Sequence, residues 1–362
     1  MKARKASPWK DSTQKFEINF LVELNKIHKE LKEKRYAPLE PNSFLLNERG
    51  KTRAISSGAF RDKIVGHALC DEYLVPIMKK YLIYDNGASL ENKGISFSRK
   101  RLETHLNKFF KKYGNNGYIL LIDITKYYDN IDHKILKKLY KQYIKDEDLL
   151  ELIDIVLKKS EIDISFLKEE ELECFMKRPF NGVEYFKIPE SLKKGEKILE
   201  KHLNIGDQFS QISSISYSIP VDNYIKIVKG IKYYGRYMDD SYIISTDKEE
   251  LFKILLELKE EYKKIGLDIN LNKSHIYRLD EEWRFLQIDY RLTKTGKIQR
   301  HINPKRYKKF KSKMKKVSSF MSRKEYEDWF KSWFNNYYKI LTKEQRKTLF
   351  RIYNKEVEKC TA

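Results

Sequence analysis

The chain has 362 residues, 41% of them hydrophobic, and 74 Lys and Arg against 52 Asp and Glu, a net charge of +22. That length supports two or three subdomains around a real core, and the positive excess points to a polyanionic partner, nucleic acid first and an anionic membrane surface second. No apolar run of about 18 residues exists, which excludes a membrane-spanning helix. The basic start, residues 1–5, lacks the apolar segment of a secretion signal. Cys70, Cys174 and Cys360 stand far apart and without CxxC spacing. They define neither a zinc site nor a disulfide framework, and a reducing, cytoplasmic location is expected. His67, His105, His133, His202, His275 and His301 show no ligand spacing and read as structural or nucleic-acid-facing.

In chain order, residues 15–35 read as a helix with Phe20, Leu21, Leu24, Ile27 and Leu31 on one side. Residues 42–56 read as a hairpin with its turn at 48–50. Lys51 and Arg53 are two apart, so on a strand they share a face. Such a pair is suited to gripping a triphosphate; an ordinary exposed strand face reads the same way. Arg61-Asp62-Lys63-Ile64-Val65 opens a helix expected to reach about residue 80.

Tyr118-Ile119-Leu120-Leu121-Ile122 is a continuous apolar run, the pattern of a buried strand. Asp123 follows it, where the chain leaves the sheet and a carboxylate faces a crevice rather than a core. Residues 132–159 read as helices, and residues 160–200 as a polar, irregular excursion. Further on, Tyr237-Met238-Asp239-Asp240 lies between two β-favouring runs, so a hairpin with the acidic pair at its turn is expected. Asp is common in turns, and alone this pair would be unremarkable. With Asp123 at a second strand end, three carboxylates come within reach of one another. Held together they repel, and hard oxygen ligands of this kind suit Mg²⁺ or Mn²⁺. Two-metal phosphoryl chemistry needs such a set.

Residues 249–264 form an amphipathic pattern through Leu251, Leu255, Leu258 and Tyr262, ended by Gly266. Residues 305–316 hold eight Lys and Arg and no acid, with Tyr307, Phe310, Met314 and Val317 recurring every three or four positions. This is a basic amphipathic helix, fit for a phosphate backbone or a membrane surface; a solvated bundle helix is the plainer reading. Residues 324–357 add one or two aromatic-rich helices (Trp329, Trp333, Tyr337, Tyr338, Phe350, Tyr353), read as core packing.

The ordered set resembles compact bacterial reverse transcriptases over about residues 35–300. The resemblance implies an α/β (α+β) right-hand polymerase: fingers with the start of the palm over residues 1–115, a palm over 116–300 with an inserted excursion at about 160–200, and a small helical thumb over 301–362. The palm would be a mostly antiparallel sheet backed by helices. Asp123, Asp239 and Asp240 match the palm carboxylates, Asp123 and Asp239 as main metal ligands and Asp240 as the third acid. Tyr128, five residues after Asp123, falls at the steric-gate position that blocks a 2′-hydroxyl. Ile205-Gly206-Asp207-Gln208-Phe209-Ser210-Gln211 resembles the box that binds nucleotide and template, with Ile205, Gly206, Ser210 and Gln211 as its contacts. Pro220 implies a kink or early end in the helix that follows. Lys51 and Arg53 match the fingers residues that hold the triphosphate, and Lys273 the lysine proposed to protonate pyrophosphate. Phe285-Leu286-Gln287 resembles the primer-grip turn, with Gln287 in place of the usual glycine.

The implied activity is RNA-directed DNA synthesis, using dNTPs, two Mg²⁺ (or Mn²⁺) ions, an RNA template and a DNA or RNA primer. It leaves room for an accessory protein or a noncoding RNA and requires no membrane. Ile205 and Gln211 depart from the retroviral pattern. The Ile-Gly-x-x-x-Ser-Gln form is similar to enzymes of diversity-generating retroelements, where the change is linked to error-prone copying opposite template adenine, and to other bacterial groups. An antiphage defence enzyme acting with a noncoding RNA or without a template is the alternative, and a non-catalytic RNA-binding protein on the same fold a lesser one. No ribonuclease H domain is expected in the residues after 300.

Overall fold

The computed structural model describes residues 2–5, 8–48 and 50–360; Met1, in the basic start, and Arg49, in the expected hairpin turn, lie outside them. Three helices, α1 (Lys2–Lys5), α2 (Asp11–Ile18) and α3 (Phe20–Lys32), gather with later residues around Phe16, Ile27, Tyr36, Phe60 and Val65. The helix expected over 15–35 is therefore two, broken at Asn19. Leu21 is exposed, whereas Phe20, Leu24, Ile27 and Leu31 pack. Those four are spaced 4, 3 and 4 apart, and Leu21 lies one step, about 100°, off their stripe.

Strands β1 (Asn42–Glu48) and β2 (Lys51–Ser57) pair antiparallel, with Glu48 opposite Lys51. Helices α4 (Phe60–Ala68) and α5 (Val75–Met78) are joined by a π-helical stretch, Leu69–Leu74. The helix expected to about residue 80 is thus present, with a widened turn that sequence periodicity does not announce. Helix α6 (Ile95–Tyr113) leads into β3 (Tyr118–Ile122). Helices α7 (His133–Tyr143) and α8 (Glu147–Lys158) follow, each started by an aspartate, Asp132 and Asp146, whose side chain accepts from the first-turn amides.

The excursion is more ordered than its polarity implied. It holds β4 (Ile162–Asp163), α9 (Glu169–Lys177), α10 (Gly182–Phe186) and β5 (Ile198–Leu199), with β4 paired to β5. Ile162, Ile164 and Phe180 give it a small core of its own.

Next come α11 (Gln208–Tyr217) and α12 (Ile219–Asn223), separated at Ser218 just before Pro220, as expected. Strands β6 (Tyr234–Tyr237) and β7 (Asp240–Ser245) lead to α13 (Lys248–Lys264) and β8 (His275–Arg278). Asp247 caps α13, its four expected apolar residues are buried, and Gly266, at φ +71°, turns the chain out of it. Strands β9 (Trp283–Phe285), β10 (Ile288–Leu292) and β11 (Ile298–Ile302) precede α14 (Pro304–Val317), α15 (Arg323–Tyr337) and α16 (Lys343–Val357).

A four-stranded sheet in the order β6-β7-β3-β8, antiparallel throughout, holds the centre. Its middle strand is covered on both faces. Leu120 and Ile122 enter a core shared with α7, α8, α11 and α13. Ile119 points the other way, into a core shared with α6, the β11-β10-β9 sheet and the C-terminal helices. Burial on both sides is why the strand reads as an unbroken apolar run rather than an alternating one. In the C-terminal helices, Phe310 stacks on Trp333 with ring centroids 3.7 Å apart and on Trp329 at 4.9 Å. Trp329, Trp333, Tyr337 and Tyr353 pack in or against the core as expected, whereas Tyr338 and Phe350 are exposed.

Candidate active site

Two strand ends build the site. Ile122, the last residue of β3, pairs with Ser241 of β7, so one further antiparallel step sets Asp123 opposite Asp240. On the other side of β7, Tyr237 pairs with Asp240, leaving Met238 and Asp239 as a two-residue turn. Met238 takes φ +55°, a left-handed conformation rare outside glycine. The hairpin expected around the acidic pair is therefore present, with Asp239 in its turn and Asp240 at the start of β7.

All three carboxylates are half-buried. Burial pushes Asp240 up to about 7, with Asp239 and Asp123 adding repulsion. Burial likewise raises Asp239, again with Asp123 contributing. Lys51 and Lys273 partly offset both. Among the described residues, no group of three or more His, Cys, Asp or Glu side chains already surrounds a single point. The donor set nonetheless fits hard divalent ions. It consists of carboxylate oxygens crowded by register at one edge of the sheet, and a cation would relieve their repulsion.

The loop after α13 folds back over this edge. Asn270 donates its backbone N–H to Asp123 O at 2.8 Å, and Asp123 N–H donates to Ser274 Oγ at 3.1 Å. Lys273 is thereby carried to Asp123, with Nζ 3.5 Å from Oδ2. Its side chain is 57% exposed, so this contact is a loose one.

Tyr128 stands on a 3₁₀ turn just after β3. Its hydroxyl accepts from Ser214 Oγ at 3.2 Å and lies 3.7 Å from Met238 Sδ. The ring thus bridges α11 and the Met238–Asp239 turn, and burial pushes its hydroxyl up to about 12. In the loop before α11, Gly206 takes φ +121° and is exposed, Ile205 is half-buried and Gln211 is exposed. Asp207 caps α11 by accepting from Ser210 N–H at 2.6 Å. Ser210 itself is 1% exposed, so Gly206 and Gln211 are the members of this set open to a strand. Lys51 is exposed and acts on Asp239 and Asp240. Arg53 is paired across its hairpin with Glu48 Oε2 at 2.7 Å.

Sequence reasoning missed the supports of the site. Arg236, on β6, is 2% exposed. It holds Asp222 of α12 through Nη2 at 2.6 Å, Ile215 O of α11 at 3.0 Å and Met238 O at 3.2 Å. Tyr234 donates to the same Asp222. One buried ion pair thus ties α11, α12 and the acidic turn together. Its signal was a charge inside an otherwise apolar strand. At the β9–β10 turn, Leu286 and Gln287 take φ +43° and +73°. Arg99 Nη2 donates to Leu286 O at 2.7 Å.

Carboxylates at paired strand ends, lysines over them and an aromatic ring beside them form a centre whose charges suit divalent cations and phosphate. The family model described as reverse transcriptase (RNA-dependent DNA polymerase) matches residues 40–290, and the chain belongs to that family. Its mixed helix-and-sheet, right-hand fold accords with that membership. No curated protein matches the chain. Among solved structures, apo telomerase from Candida tropicalis, truncated from its C-terminal domain, is similar at 15% identity and a TM-score of 0.48. That match covers 74% of this chain and 58% of the telomerase chain, little more than half of the latter.

Proposed function

We propose that this protein is an RNA-directed DNA polymerase that extends a DNA or RNA primer along an RNA template. The observation that carries the reading is the register of β3 on β7, which sets Asp123 opposite Asp240 with Asp239 in the adjoining turn, inside the family match. Fingers over residues 1–115, a palm over 116–300 and a thumb over 301–362 remain the division we assign. In the reaction the primer 3′-hydroxyl attacks the α-phosphorus of a dNTP, a new P–O bond forms, and the bond to the β-phosphate oxygen breaks to release pyrophosphate. Two divalent ions, Mg²⁺ or Mn²⁺, held by Asp123, Asp239 and Asp240, would lower the hydroxyl pKa and neutralise charge on the displaced phosphate.

The chain's own residues do the rest. Lys51 and Arg53 hold the triphosphate, Arg53 exchanging Glu48 for a phosphate oxygen. Lys273 presents an ammonium beside Asp123 and is the proton source for pyrophosphate. The Tyr128 ring closes the space a ribose 2′-hydroxyl would need, because Ser214 and Met238 fix it from behind. Gly206 lets backbone approach the nucleotide closely, and Gln211 faces the template.

Ile205 favours the diversity-generating retroelement type. A β-branched apolar side chain offers no hydrogen bond to nucleotide or template, so discrimination between bases is weaker. Primer extension on a defined RNA template, with sequenced products, tests both levels. Template-complementary cDNA supports the polymerase, and errors clustered opposite adenine support the subtype. Product that ignores the template, or appears only with a native RNA, moves the assignment to a defence enzyme, and no incorporation under any condition sinks the reading. Ile205→Gln is expected to lower the error rate, and an unchanged error spectrum would remove Ile205 from that role.

A further inference from the structure

The β9–β10 turn is fastened to three helices at once. Gln287 Oε1 accepts from Tyr337 Oη at 2.7 Å and from Arg306 Nη1, and Arg306 Nη1 also donates to Tyr337 Oη at 3.0 Å. Arg306 belongs to α14 and Tyr337 to the end of α15. From the other side, Arg99 of α6 donates through Nη2 to Leu286 O and through Nη1 to Asn336 Oδ1 at 3.0 Å, with its guanidinium 5.6 Å from the Tyr337 ring centroid. Arg99 and Tyr337 are both buried. Gln287 is half-buried and sits at φ +73°, a conformation glycine adopts freely and glutamine resists. A residue kept in a strained backbone while its side chain serves two helices is doing something the turn alone does not require.

We propose that Gln287 is a positioning residue, a latch that fixes the β9–β10 turn to the α14–α15 thumb and so sets how many nucleotides are added before primer and template are released. The proposal rests on the polymerase reading given above. The latch touches neither the reacting atoms nor the three aspartates. Its two partners come from different helices, so swinging the thumb away from the palm breaks both bonds together. Arg99 of α6 bonds both the turn's backbone and Asn336 of α15, so the turn keeps a second tie to α15 when Gln287 is altered, and the side-chain bonds of Gln287 are what the variant removes.

Gln287→Gly separates the latch from the fold. Glycine suits φ +73° better than glutamine, so the turn itself is not weakened, and only the side-chain bonds are lost. Gln287→Glu keeps an acceptor for Arg306 and Tyr337 and serves as the rescue. Extension in the presence of a heparin trap, which limits each enzyme to one binding event, reads the effect. Gln287→Gly is expected to shorten products at least about fivefold, beyond any effect on the first addition; Tyr337→Phe should shift product length in the same direction, and Gln287→Glu should restore it. Equal product lengths for Gln287→Gly and wild type would overturn the latch, as would a loss confined to the first addition. Backbone hydrogen exchange supplies a readout independent of synthesis. Residues 286–288 and the first turn of α14 should exchange faster in Gln287→Gly and not in Gln287→Glu, and unchanged exchange would overturn the latch. A wild-type protein that makes no DNA would count against the polymerase reading, and exchange would still decide the latch.

Discussion

Asp239, a metal ligand in the proposed reaction, sits where its charge is costly to the fold. Its carboxyl is crowded by Asp123 and raised by burial. Asp239→Asn is therefore expected to abolish synthesis while leaving stability unchanged or raising it by up to about 1 kcal/mol, as removal of a repelling charge at a functional site does. Primer extension and thermal melting on the same sample check both halves, and a melting point that falls by several degrees would sink the second. A different titration belongs to His105. It is 4% exposed, and burial pushes its imidazolium down to about 4 from 6.5, outweighing Asp85 at 3.5 Å. The folded protein therefore keeps His105 neutral where the unfolded chain begins to bind a proton. Stability from this group is whole above pH 6.5 and is lost as pH falls towards 4, about 3 kcal/mol in all at ~1.36 kcal/mol per pH unit. In urea unfolding at pH 7 and pH 5, wild type should lose about 2 kcal/mol more than His105→Gln. Equal losses would remove His105 as a source of acid sensitivity.

Among the elements, β3 and α13 were legible in the sequence because each shows its burial as a pattern, a continuous apolar run for a strand covered on both faces and a 4-3-4 spacing for a helix covered on one. Asp123, Asp239 and Asp240 were legible because they interrupt such patterns at strand ends. The π-helical stretch Leu69–Leu74 was not, since a widened turn keeps the composition of its neighbours. The excursion's short pieces, two-residue strands among them, fall below the length at which periodicity can speak. Leu21 was misplaced because it lies one step off the 4-3-4 stripe of its own helix, and the break at Asn19 went unmarked because only an ordinary polar residue stands there. The pairing of Asp222 with Arg236 was hidden for another reason, as the partners are 14 residues apart on elements that meet only in three dimensions. Breaking that pair by Asp222→Ala strands a buried guanidinium and should cost about 3–5 kcal/mol. Adding Arg236→Met should recover part of the loss. If the single variant melts within a degree of wild type, the pair is not what secures the acidic turn.

Across the whole molecule the charge sums to +22, and α14 carries basic residues with no acid among them. Helix α14 buries Phe310, Met314 and Val317 and leaves Lys305, Lys308, Lys309, Lys313, Lys315 and Lys316 exposed. An exposed set of lysines on α14 is suited to a phosphate backbone, and each phosphate neutralised contributes about 0.9 to the dependence of log affinity on log salt. Lys308→Ala with Lys309→Ala should lower the slope by about 2 if both touch phosphates. A parallel shift with no change in slope, measured by fluorescence anisotropy on a primer–template duplex, would mean they do not.

The central strand has a bearing on how this protein comes into being on the ribosome. Residues 118–122 are made early, yet β3 can be closed on its two sides only by residues 240–245 and 275–278. Until about 245 residues have left the exit tunnel, a growing chain carries an apolar strand with both edges open, and one edge stays open until about residue 278, a template for mispairing with its neighbours on the same message. The acidic centre is completed by the same late pairings, so shortened chains released before that point would hold the strand without the catalyst. A nascent-chain series stalled at successive lengths should therefore need chaperone protection over roughly half of its synthesis and become protease-resistant abruptly once β8 emerges.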